Sequence, residues 1–177
     1  MSLLLLSLAL LLAPLQTAPQ PVTASVTSSS TLDLLTPDQI NRLLPPSVYF
    51  KGQTAPLQLR NAGAARFPDG AILFAALVDT SGYSTSVRER YQFYLVTEAP
   101  LSIGGKLLPA GAYGAGFLED GAFVIMDLGG HDLLLAHTER DEALHRPRPL
   151  QLVVASNPQE LRLYLGRSFA TLTRAPR

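Results

Sequence analysis

Residues 108–117 read LPAGAYGAGF, with Gly111, Gly114 and Gly116 close together. Such a run is either a loop that cradles phosphate or a β-strand with one bare face. A phosphate cradle needs a strand, a glycine turn and then a helix whose first N–H groups and dipole meet the anion. Here Phe117-Leu118 leads into Glu119-Asp120-Gly121, a hairpin turn signal, and then into a second apolar run over 122–128. No helix pattern follows, and no Lys-Ser/Thr pair closes the loop. The strand reading fits. Alternation puts Ala112, Gly114 and Gly116 on one face and Tyr113, Ala115 and Phe117 on the other. Each Gly costs strand stability, about 0.5–1 kcal/mol relative to Ala. Such a face lets a large group approach closely. The expectation is a bent strand packed beneath a short helix or an aromatic ring. The competing reading is a ligand cavity over Gly114 and Gly116, with Tyr83 and Ser84 as further ligand-binding residues.

Outward from this strand the apolar period is two, with turn residues between segments. Val48-Tyr49-Phe50 and Leu57-Gln58-Leu59-Arg60 are short strands, and Asn61-Ala62-Gly63 and Pro68-Asp69-Gly70 are turn signals. Residues 71–78 are apolar on both faces, as in a central strand. Residues 91–98 alternate, with Tyr91, Phe93 and Leu95 on one side. Gly104-Gly105 marks a hairpin, and further strands are read at 133–136, 150–155, 161–165 and 169–173. Two short helices are expected. Thr36-Pro37-Asp38-Gln39 is a helix start with cap, proline and capping-box Gln, and it places Ile40, Leu43 and Leu44 on one face before Pro45-Pro46. A second helix is read at 138–145, capped by Thr138 and ended by Pro147. The predicted fold is all-β: a mostly antiparallel barrel or sandwich of about nine or ten short strands with one or two short helices.

The first residues, MSLLLLSLALLLAPLQTAPQP, have the outline of an export signal. Leu3 to Ala13 is an apolar run of signal-core length, too short to span about 30 Å of hydrocarbon. Val22-Thr23-Ala24 is a small-residue cleavage pattern, although no Lys or Arg precedes the apolar run. The expected organisation is a signal peptide over 1–24, a Ser/Thr-rich leader over 25–31 and a single β domain over 32–177. The expected location is the periplasm or the extracellular space, with membrane contact only through an uncleaved signal.

The chain has 177 residues, enough for one core, and 47% are hydrophobic. Lys+Arg and Asp+Glu balance at 14 each, so no overall field draws it to nucleic acid. With no Cys, there is no disulfide, thiolate nucleophile or Cys-linked lipid anchor.

Chemistry-bearing residues are few. The three histidines, His131, His137 and His145, lie close in sequence among acids. Asp127, His131 and His137 are the alternative metal or acid–base set, because Asp127 and His131 bracket a Gly-Gly turn. Their spacing matches no compact metal motif. Residues 79–86, DTSGYSTS, form the longest polar loop, of a kind that suits adaptable contacts with a partner. No G-x-S-x-G elbow marks a serine nucleophile. No catalytic residue and no cofactor is implied.

Residues 48–53 with 58–61, residues 79–83 and residues 103–113 together resemble a group of uncharacterised exported bacterial proteins. The Gly105-Lys106-Leu107-Leu108-Pro109-Ala110-Gly111-Ala112-Tyr113 piece is similar to a hairpin in a wider class of secreted β domains. The resemblance implies export and a β fold, and brings no catalytic residues. The reading is therefore an exported, non-enzymatic β-barrel domain with a binding or structural role in the bacterial envelope, holding a small apolar ligand or contacting an envelope protein. A secreted enzyme using Asp127, His131 and His137, and an interaction module using loop 79–86, are the alternatives.

Overall fold

The computed structural model describes residues 31–176. The expected signal peptide, and the leader up to residue 30, lie outside the described residues. In chain order the elements are β1 (Asp33–Leu34), α1 (Pro37–Leu43), β2 (Ser47–Phe50), β3 (Gln53–Arg66), β4 (Ile72–Val78), α2 (Thr85–Arg88) and β5 (Phe93–Thr97). Then follow β6 (Leu101–Ile103), β7 (Lys106–Leu108), β8 (Gly111–Phe117), β9 (Ala122–Met126) and β10 (Asp132–His137). The last are β11 (Glu139–Arg140), β12 (Leu150–Val154), β13 (Glu160–Leu165) and β14 (Ser168–Arg174).

The fold is all-β, with antiparallel pairing and two short helices among the described residues. It is a sandwich and not a barrel. One sheet runs β1-β3-β4-β5-β8-β9-β10 with β2 beside β3, and the other runs β12-β13-β14-β6-β7 with β11 beside β14. Neither ladder closes on itself. Closure fails because the chain changes sheets after β5. β6 pairs with β14 and not with β5, in register Leu172 with Ile103 and Arg174 with Leu101.

Two apolar clusters result. The first lies between the sheets, where Leu73, Phe93, Leu95 and Ile125 of one meet Leu101, Ile103, Leu161 and Leu163 of the other, all fully buried. The second covers the outer face of the first sheet. There Ala76, Val78, Val124 and Met126 lie beneath Ile40, Leu44, Val48, Phe50, Tyr83 and Tyr91. Alternation along β4 follows: Leu73 and Ala75 enter the first cluster, Ala76 and Val78 the second. That is why residues 71–78 read as apolar on both faces.

Four local expectations are corrected. Asn61-Ala62-Gly63 is not a turn. β3 runs through it, with the register jumping from Gln58↔Leu77 to Ala62↔Ala76, a bulge that swings the first half of the strand and its partner β2 out of line. The helix read at 138–145 is absent. Thr138 directs both its N–H and its hydroxyl to the Gly121 carbonyl at 3.0 and 2.7 Å, so it caps nothing. Glu139 and Arg140 instead pair with Phe169 and Ser168. Tyr91 does not share a side with Phe93 and Leu95, because the strand starts at Phe93 and Tyr91 turns into the second cluster. Helix α1 forms as read, with Thr36 and Gln39 making the reciprocal capping box, but Leu43 faces solvent while Ile40 and Leu44 are buried. Among the described residues no helix is long and apolar enough to cross a membrane.

Candidate functional site

The bare face of β8 is covered by the chain itself. A Cβ on Gly114 would overlap the edge of the Phe50 ring, and one on Gly116 would overlap the backbone carbonyl of Arg90. Phe50 gets there because the β3 bulge lets the β2–β3 hairpin fold across the sheet. Its tip is the two-residue turn Lys51-Gly52, and the Lys51 N–H donates to the Leu128 carbonyl at 2.8 Å. Arg90 gets there because segment 79–91 folds back over the same face. The Gln92 side chain holds it down by doing the work of a strand. Its amide accepts from the Phe117 N–H at 2.8 Å and donates to the Phe117 carbonyl at 3.0 Å.

An aromatic triad locks hairpin and segment together. Phe50 and Tyr91 stack at 3.7 Å between centroids with 19° between planes. Tyr83 meets both edge-on, at 6.2 and 5.5 Å. Such pairs add about 0.5–1.5 kcal/mol each beyond their buried area. The Tyr83 hydroxyl donates to the Phe50 carbonyl at 2.9 Å, with the Gln53 carbonyl at 3.3 Å, and burial raises its pKa. Tyr91 is fully buried, and among the described residues no donor or acceptor reaches its hydroxyl. Burial, then the neighbouring Tyr83 and Tyr94, push its ionisation far above the ordinary tyrosine range. An unpartnered buried hydroxyl costs about 1–3 kcal/mol. Tyr91→Phe is therefore expected to leave stability unchanged or raise it by about 1 kcal/mol, whereas Tyr83→Phe, which removes a made bond, lowers it by about 1–2 kcal/mol. Urea denaturation of the two variants checks the opposite signs.

The third part is the turn between β9 and β10. Asp127 accepts from the His131 N–H at 2.9 Å, and the His131 Nδ1 lies 2.9 Å from its second oxygen. These bonds, the backbone one first, hold the Asp127 carboxyl below the usual carboxylate range. Arg90 pairs with Asp132 at 2.6 Å through Nη2. Where this turn, the hairpin tip and segment 79–91 meet, a rim borders a half-open cavity of about 170 Å³ lined by Phe50, Lys51, Ser86, Val87, Arg90, Met126 and Gly130.

The predicted residues other than His137 thus fall in one assembly with different roles. Gly114 and Gly116 seat protein groups, and Tyr83 is a buried tie. Ser84 is exposed, its hydroxyl 3.1 Å from that of Ser86. Asp127 and His131 are together, but His137 stands at the far end of β10, next to β9 residue Ala122. Among the described residues no three His, Cys, Asp or Glu side chains are placed to hold a metal ion. The metal or acid–base triad is therefore reduced to an exposed pair that ties a turn. Phe50, Lys51, Arg90 and Tyr91 were missed. The only signal for them was that a bare face on β8 demands a ring or a backbone opposite it.

Two larger clefts are present, and the second shares Arg90 with the rim. One, of about 490 Å³, runs between Phe67, Pro68, Pro158 and Ala175. Its Arg174 is committed to Asp69 at 2.9 Å and to the Pro100 and Ala175 carbonyls. The other, of about 500 Å³, is open and lined by Glu89, Arg90, Gln92, Phe117, Glu119 and Asp120. Size alone favours these; the rim is preferred because Lys51 of the hairpin tip meets Ser86 and Arg90 of segment 79–91 there, beside the β9–β10 turn.

Comparison with known proteins finds no matching family model, no matching curated protein and no matching solved structure.

Proposed function

We propose that the chain is an exported, non-enzymatic domain of the bacterial envelope that binds a partner through the rim. One observation carries this reading. Segment 79–91, a polar connection, is clamped on a rigid sheet by the Phe50–Tyr91 stack and the Tyr83 bond, with Ser81, Ser84, Thr85 and Ser86 left exposed. A loop ordered in advance avoids the entropy cost of ordering on contact, and rigid scaffolds carrying polar loops are the common build of binding sites. The small apolar ligand expected over Gly114 and Gly116 is not retained, since Phe50 and the Arg90 backbone occupy that space. Binding is preferred to catalysis because the Asp127 carboxylate is engaged in its own turn and, among the described residues, His131 has no second partner group. Export is supported by the apolar run from Leu3 to Ala13.

A photoreactive residue at position 84, compared with one at Ser156 in the β12–β13 turn of the other sheet, tests the rim in living cells. Discrete adducts from position 84 and none from 156 are expected. Adducts from 156 alone, or none from 84, would overturn the assignment.

A further inference from the structure

The rim has an unusual donor set. Lys51 is the only non-glycine with a left-handed backbone among the described residues, at φ 46°, followed by Gly52 at φ 87°. Both positions of this hairpin turn demand that conformation, and Asn, Asp or Gly meet it with less strain than lysine. Turn geometry therefore does not account for a lysine here. Its side chain is positioned as well: the stem runs over Gly130, where a Cβ would come within 3.0 Å of the Lys51 Cδ. The two acids of the β9–β10 turn are already paired. Asp127 holds His131 and Asp132 holds Arg90, so among the described residues no carboxylate reaches the Lys51 ammonium. The Asp132 pair uses only Nη2 of Arg90, leaving the other guanidinium N–H groups. Ser86 adds a hydroxyl to the same wall.

We propose that this cavity binds a small oxyanion, a carboxylate or a phosphate group, between Lys51 and Arg90 with Ser86 as a further donor. Two of the lining residues, Lys51 and Arg90, carry positive charge, and ionised donors make the stronger hydrogen bonds. At about 170 Å³ the cavity is below the usual 300–1,000 Å³ of drug-sized sites, so it takes the charged end of a ligand and not the whole of one. The proposal rests on the reading of the rim as the binding surface and names the chemistry that it recognises.

The test is an amide NMR titration of the purified protein with inorganic phosphate and, separately, acetate, against sodium chloride at matched ionic strength. Saturable shifts at Lys51, Ser86 and Gly130 are expected, half-complete at about the millimolar level that suits a single small anion. Lys51→Gln, a change in an exposed turn, is expected to weaken binding at least about tenfold, a difference of about 1.4 kcal/mol. Saturation with only one of the two anions supports the site and identifies its group. Linear shifts with both anions, or saturation unchanged in Lys51→Gln, would overturn it. Failure here with position 84 still giving adducts would remove the anion site and leave the rim as a binding surface.

Discussion

Gly116→Val is expected to destabilise the protein by about 3 kcal/mol, the upper end of what overpacking a core costs. The expectation opposes the intrinsic trend, because valine is a strand former and Gly is not. β8 is a seven-residue strand in the middle of the first sheet, so on an ordinary half-buried face the change would stabilise. At 116 the added atoms meet the Arg90 carbonyl, and that backbone has nowhere to go. Arg90 is tied through its guanidinium to Asp132, and the next residue stacks on Phe50. The whole segment must lift, taking Tyr91 and Tyr83 out of the second cluster. Chemical denaturation reads the change. A variant as stable as the parent would mean that the carbonyl does not lie there.

The second large effect is at Phe50. The side chain is fully buried, and truncation to alanine is expected to cost about 3–5 kcal/mol. Its more telling property is coupling with Gly114. In the parent, Gly114→Ala drives a methyl into the ring and costs about 1–3 kcal/mol. With Phe50→Ala already made, the ring is gone, and alanine in a strand interior is worth about 0.5–1 kcal/mol over glycine. The sign of Gly114→Ala is therefore expected to reverse between the two backgrounds, a non-additivity confined to groups in contact. Equal effects in both backgrounds would separate ring from glycine.

The local features of the fold were legible in the sequence. Asp120-Gly121 is the turn it reads as, with Gly121 at φ 84°, and the Thr36/Gln39 box starts α1. Both signals depend on neighbours within three or four residues. Pairing between distant segments was not legible. Whether β6 joins β5 or crosses to β14 is decided by residues some seventy positions apart, and that choice separates a barrel from a sandwich. Thr138 has the sequence of a cap, yet the Gly121 carbonyl claims it from across a hairpin. The same limit applies to the site. Gly114 and Gly116 announced that something sits on β8, and Tyr83 and Ser84 do belong to the same assembly. That Phe50 and Arg90 arrive there depends on a bulge in β3 and a doubled-back segment, neither of which has a local signature. Asp127 and His131 were found together because a four-residue turn brings them together; His137, on a strand, was carried away at the strand's own rise per residue.

The central claim is that the bare face of β8 is filled by the protein's own aromatic ring. The most direct measurement is the proton NMR spectrum of the purified chain without added ligand. The account predicts Gly114 Hα resonances displaced by the Phe50 ring current, with nuclear Overhauser contacts to the Phe50 ring protons. Gly114 Hα shifts typical of an open strand, with no contact to Phe50, would contradict it.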